Sequence, residues 1–215
     1  MKSLPYLIAF TSLTLIGCEG SSSSNDGNNN TDNSDTRSIT VEVPGSGNLY
    51  IAGSEEGVFS GNLPVAVVLP EGTARTLRFT RVTGSVDFGG STTIETPEGI
   101  VHDGQPYGER PSNGVVDDLV PTVLRRTFLG GVFLDSNNPS NKDGTPIDYS
   151  LSSPEFTVGY LPGLAQGFFI GDGKTSYANT HIFDIPDASD TLYLGTDDSV
   201  HLDNRGSFFV EIEFN

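Results

Sequence analysis

The 215-residue chain contains one cysteine, one methionine and no tryptophan, and only 11 lysines and arginines stand against 28 aspartates and glutamates. A lone cysteine excludes a disulfide within the monomer and the thiol-rich metal sites that need several. The shortage of bases, with a formal net charge of -17, argues against nucleic acid as a partner and against a polybasic grip on anionic lipid. Catalytic signatures are also missing. There is no G-x-S-x-G elbow and no H-E-x-x-H pair, and His102, His181 and His201 lie far apart in the chain. Beyond the first residues no sustained 3.6-residue apolar period occurs, so helices should be minor.

Lys2 precedes an apolar stretch over 4–17, long enough for a signal-peptide core and too short to span a bilayer. It ends in Leu15-Ile16-Gly17-Cys18, which resembles a bacterial lipobox. That resemblance implies a signal peptide over 1–17 and a lipid on Cys18, which is also the only cysteine. Residues 19–37 are dominated by Ser, Asn, Asp and Gly, so 18–37 reads as a lipidated, disordered tether with a mean span of roughly 25 Å. Glu19 stands where many Gram-negative lipoproteins carry an inner-membrane retention aspartate, so the outer membrane is expected. Loss of Lys2 with the signal leaves 28 acids against 10 bases, a net of -18. The remaining residues, 38–215, suit one β-sandwich with a single core.

Alternating or β-branched runs recur over 39–43, 49–52, 65–69, 77–82, 128–134, 155–158, 167–170, 181–185, 192–194 and 208–214. Each gap holds Gly, Pro, Asn or Asp, the punctuation of an all-β sandwich or jelly roll. The last run should bury Phe208, Val210, Ile212 and Phe214 and expose Ser207, Phe209, Glu211 and Glu213. A slight internal echo pairs Leu69-Pro70-Glu71 with Ile185-Pro186-Asp187. It leads into turns expected at 85–90 and 196–204 and suggests that both lie at one end of the sheets. Residues 89–120 form a long Gly- and Pro-rich loop without a convincing strand. The polar loop over 135–146 does not meet the EF-hand pattern.

Most polar clusters have ordinary explanations. Asp117 and Asp118 are neighbours that point apart in extended chain and suit a solvated turn better than a hydrolase pair. Gly171-Asp172-Gly173-Lys174-Thr175 lacks the earlier glycine of a phosphate loop and reads as a hairpin turn. His201 reads as a solvent-facing side chain. The exception is the segment from Thr196 onward, where Asp197, Asp198, Asp203 and Asn204 fall within eight residues of one another. Oxygen donors at that density suit a hard cation such as calcium, although composition alone equally describes a solvated acidic turn.

Asp203-Asn204-Arg205-Gly206-Ser207-Phe208-Phe209-Val210 resembles the paired-amide loop and following strand of the PA-I-like galactophilic lectins and related bacterial exported proteins. The likeness runs over 38–215 and includes Phe88-Gly89, which resembles an aromatic-glycine turn. It implies a galactose-binding-like jelly roll with calcium held by Asp203, Asn204, the Phe88 carbonyl and Asp197, with Asp198 competing for the last place. A second carbonyl would come from Val200 or Ser199. Glu109-Arg110-Pro111-Ser112-Asn113-Gly114 resembles the sugar-contact loop, with Arg110 and Asn113 as hydrogen-bonding residues. Tyr50, Tyr107 or Phe88 would stack on a sugar ring.

The expectation is therefore a lipid-anchored, exported, calcium-dependent carbohydrate-binding protein without turnover. Its ligand would be galactose-like or a polysaccharide, with oligomers open and no nucleic acid. A module for protein contact with purely structural calcium is the alternative.

Overall fold

In the computed structural model the described residues are 37–55, 61–72, 74–89, 94–101, 115, 125–139, 161–175 and 179–215. The chain divides into Met1–Asn33 and Ser34–Asn215. The first unit, with Cys18, lies outside the described residues, as do His102, Tyr107, Arg110, Asn113, the Asp117–Asp118 pair and the strand expected over 155–158.

The described part is all-β. One antiparallel sheet has the order β1-β10-β3-β8, with β1 at Arg37–Pro44, β3 at Thr76–Asp87, β8 at Ile182–Asp184 and β10 at Arg205–Phe214. The other has the order β2-β9-β6-β7, with β2 at Val65–Val68, β6 at Leu129–Leu134, β7 at Gly167–Phe169 and β9 at Thr191–Thr196. A small pair joins β4 (Ile100–Val101) to β5 (Arg125–Arg126). Among the described residues no helix is long and apolar enough to cross a membrane.

Alternation explains how the sheets meet. Phe208, Val210, Ile212 and Phe214 are buried on β10 while Phe209 is exposed, as the period-2 pattern requires. The inner faces join through aromatics. Phe168 of β7 and Phe183 of β8 lie 5.0 Å apart between ring centroids, and Phe79 meets Phe183 edge-on at 5.5 Å. On the outer face of the first sheet, Arg81 pairs with Glu211 at 3.3 Å and Arg78 pairs with Glu213, so cross-strand charges occupy the wet side.

The second sheet exposes one face at its edge strand β2 but is covered on both faces in its middle, where every residue of β6 is buried. Its cover includes Leu49–Ile51, a 3-10 helix where a strand was expected. Asn48 accepts a hydrogen bond from the Tyr50 amide at 2.9 Å and so caps the turn. Four consecutive apolar residues gave no alternation with which to distinguish a turn buried on all sides from a strand. The approach is close because Gly195 has no side chain: a Cβ there would lie 2.8 Å from the Leu49 nitrogen and 2.9 Å from the Gly47 oxygen.

Two other expectations are corrected. The turn placed at 85–90 begins only after Asp87, because β3 stays paired with β10 as far as Arg205–Asp87. The 171–175 turn is not a hairpin, since it leads from β7 in one sheet to β8 in the other.

β1 runs antiparallel to β10 for its full length, from Arg37 opposite Phe214 to Pro44 opposite Ser207. It therefore delivers the chain from one end of the sheet to the other.

Candidate metal and ligand site at the Asp203 end

The β3–β10 register fixes which loops meet. Arg205 pairs with Asp87, so continuing the two strands outward brings the Phe88-Gly89 turn beside Asn204 and Asp203. The contact is direct, since a Cβ built on Gly89 would collide with the Asp203 carboxylate. Gly89 has φ +67, a conformation that glycine adopts without strain. Asp87 Oδ1 accepts the Gly89 amide at 3.0 Å and tightens this turn. The turn and the Asp203-Asn204 pair proposed from sequence are thus adjacent in space.

Asn204 is buried, with 8 % of its surface exposed. Its Nδ2 donates to the Gly45 carbonyl at 2.8 Å, which fixes the amide orientation because that partner is an acceptor. Asn204 Oδ1 is then left buried with no hydrogen-bond partner among the described residues, and a buried polar atom in that state needs a ligand or a water. The same Gly45 oxygen accepts the Thr196 hydroxyl at 2.8 Å. Gly45 donates to the Gly206 carbonyl at 3.0 Å, and Thr196 to the Gly47 carbonyl at 2.8 Å. Residues 45–47, 196 and 204–206 are stitched together through the turn that follows β1.

Asp197 leaves the end of β9 fully buried. Its backbone exchanges hydrogen bonds with Phe128 and Thr127, at 3.0 and 2.9 Å, and its Oδ1 accepts the Tyr50 hydroxyl at 2.5 Å. Asp198 is also buried and accepts the Ser199 amide at 2.7 Å. Val200 is 54 % exposed and extended (φ -135, ψ 93), just before another 3-10 helix, His201–Asp203. Asp203 is exposed.

His201 is buried, not solvent-facing. Its Nε2 lies 3.2 Å from the Thr196 carbonyl, and its Cβ lies against Gly61. Burial pushes its pKa below the ordinary value. The Thr196 carbonyl and the carboxylates of Asp198, Asp197 and Asp203 oppose that shift without overcoming it. Tyr50 and Phe88 are both buried, which removes them as sugar-stacking platforms.

Sequence reading missed Gly45, Thr196 and the Tyr50–Asp197 bond, because all three depend on partners about 150 residues away. It also missed Glu95, whose backbone pairs with Val86 at 2.8 and 3.0 Å. Glu95 is buried, and its Oε1 lacks a hydrogen-bond partner among the described residues.

Among the described residues no three His, Cys, Asp or Glu side chains gather as a metal-binding group. A cation at this end would therefore draw on amide and carbonyl oxygens beside carboxylate, a mixture that calcium accepts. Asn204 Oδ1 fits that demand as a free buried oxygen, and Asp203 fits it as a carboxylate touching the Phe88-Gly89 turn. No family model, curated protein or solved structure matches the chain.

Proposed function

We propose that the chain is an exported lipoprotein anchored through Cys18, most simply at a Gram-negative outer membrane. On this reading its jelly-roll sandwich binds carbohydrate through calcium at the Asp203 end. The observation that carries this is Asn204 Oδ1, a buried oxygen without a partner, beside a carboxylate that presses on the Phe88-Gly89 turn. Asn204, Asp203 and the Phe88 carbonyl would hold the ion, with an aspartate from the 197–198 pair and the carbonyl of Val200 or Ser199. Calcium with open positions orients a pair of sugar hydroxyls by their geometry. Arg110 and Asn113 would supply further hydrogen bonds to a galactose-like residue or polysaccharide.

The second reading keeps calcium and removes the sugar, leaving a module for protein contact. It is favoured by the burial of Asp197, Asp198 and Asn204, which leaves few donors open to a ligand. A glycan array with and without chelator separates the two readings. Calcium-dependent glycan signal supports the lectin reading, and calcium binding without glycan signal supports the module. Calorimetry tests the ion itself. Calcium binding in the wild type that is lost in Asp197→Ala with Asp203→Ala supports the assignment. Absence of binding, or binding unchanged in that variant, removes it.

A further inference from the structure

The side of the molecule away from β1 carries a second feature. Among the described residues β8 is the last strand of its sheet. Leu164 bridges to Phe133 beside β7, the last described strand of the other sheet. Between the 161–164 segment and the end of β8 with the residues after it lies an open groove of about 460 Å³, within the size range of ligand sites, roughly 300–1,000 Å³. Leu161, Pro162, Ile185 and Pro186 give it apolar walls, and Asp184 and Asp187 give it charge. Leu161 is 68 % exposed.

The backbone of β8 is directed for pairing. Ile185 donates to the Arg75 carbonyl at 2.8 Å, on the β3 side. Direction alternates along an antiparallel strand, so the N–H and C=O groups of Asp184 and Ile182 point away from β3, toward the free edge. Charge selects the occupant. Asp184 is exposed and forms no ion pair among the described residues. Asp187 pairs only with Arg75, at 2.7 Å, where both side chains are largely exposed. Such a pair is weak enough to be exchanged for an incoming base. A second copy of this chain, at net charge -17, is repelled by the same carboxylates.

We propose that this groove binds an extended peptide segment that pairs with the free edge of β8. The segment sets a lysine or arginine against Asp184 and Asp187 and an apolar side chain against Leu161 and Pro162. The mode is strand addition, in which main-chain hydrogen bonds hold the segment and alternate side chains select it. The surface is separate from the Asp203 end and does not depend on the calcium reading.

The test uses the full-length chain and two capped pentapeptides, Val-Lys-Val-Lys-Val and Val-Glu-Val-Glu-Val, followed by calorimetry and by amide hydrogen exchange read by NMR. The lysine peptide should bind and slow exchange at the Ile182 and Asp184 amides, while the glutamate peptide does neither. Asp184→Asn, an exposed isosteric change, should weaken the lysine peptide by about tenfold, and Leu161→Ser should weaken it as well. Equal binding of both peptides, unchanged affinity in Asp184→Asn, or unslowed exchange at Asp184 overturns the proposal. Spermidine giving the same protection as the lysine peptide also overturns it, because the site would then take any polycation.

Discussion

The Tyr50 hydroxyl donates to Asp197 Oδ1 at 2.5 Å across 147 residues of sequence, joining the 3-10 helix over the second sheet to the loop that leaves β9. Both residues are fully buried, so the bond connects the cover of the sheet to the candidate site. Tyr50→Phe keeps the ring and removes the donor. It should cost about 1–3 kcal/mol, the range for losing a hydrogen bond to a buried carboxyl, measured as a lower urea midpoint with an unchanged m-value.

Gly195→Ala tests the same cover from the opposite side. The added methyl would meet the backbone of Leu49 and Gly47, and backbone cannot rotate away as a side chain does. Destabilisation of about 1–3 kcal/mol is expected from overpacking. Faster hydrogen exchange at Ile51 and Ala52, whose amides donate back to Asn48 and Leu49, should accompany it.

Gly89→Ala combines two penalties, a left-handed backbone conformation and a collision with the Asp203 carboxylate. A loss of about 1–3 kcal/mol is expected from the backbone alone, read by thermal melting. If calcium binds where proposed, the same variant should also weaken it in calorimetry, because Asp203 must move.

Asp190 supplies a pH dependence remote from the site. Burial raises its pKa, but the hydroxyl and amide of Ser136, at 2.5 and 2.9 Å, and the Thr191 hydroxyl, at 2.8 Å, outweigh that effect and hold the carboxyl below its ordinary value. A depressed carboxylate pKa favours the fold above the unfolded value of about 3.9. That contribution is lost as pH falls through the lower folded value. Asp190→Asn should therefore reduce the loss of urea midpoint between about pH 5 and about pH 3. The reduction should be small, because the group is partly open to solvent.

The sequence located strands with one wet face, such as β1 and β10. It also located β6, β7 and β9, which are buried almost throughout and lie at the runs expected over 128–134, 167–170 and 192–194. Burial alternates along β1 and β10, and both strands run beyond the stretches expected at 39–43 and 208–214. The 49–52 stretch was expected as a strand and is a 3-10 helix, because a short apolar run buried on every side reads the same in a strand and in a turn. The Phe88 turn and the Asp203 loop were expected at one end of the sheets on the strength of an echo between 69–71 and 185–187. The structure brings them together for a different reason, the pairing of β3 with β10. His201 was misread because Gly61, which leaves room for it, is 140 positions away and carries no local signal.

The course of β1 has a mechanical consequence. The chain enters the sheet at Arg37 and reaches the Asn204 end at Pro44, roughly 24 Å away at the usual rise of an extended strand. A pull applied upstream of Arg37 and resisted by something gripped at Asn204 would draw β1 and β10 past each other along their length. The hydrogen bonds between them lie across that direction, so the eight register pairs of this interface would bear the load together in shear, where peeling would break them one at a time.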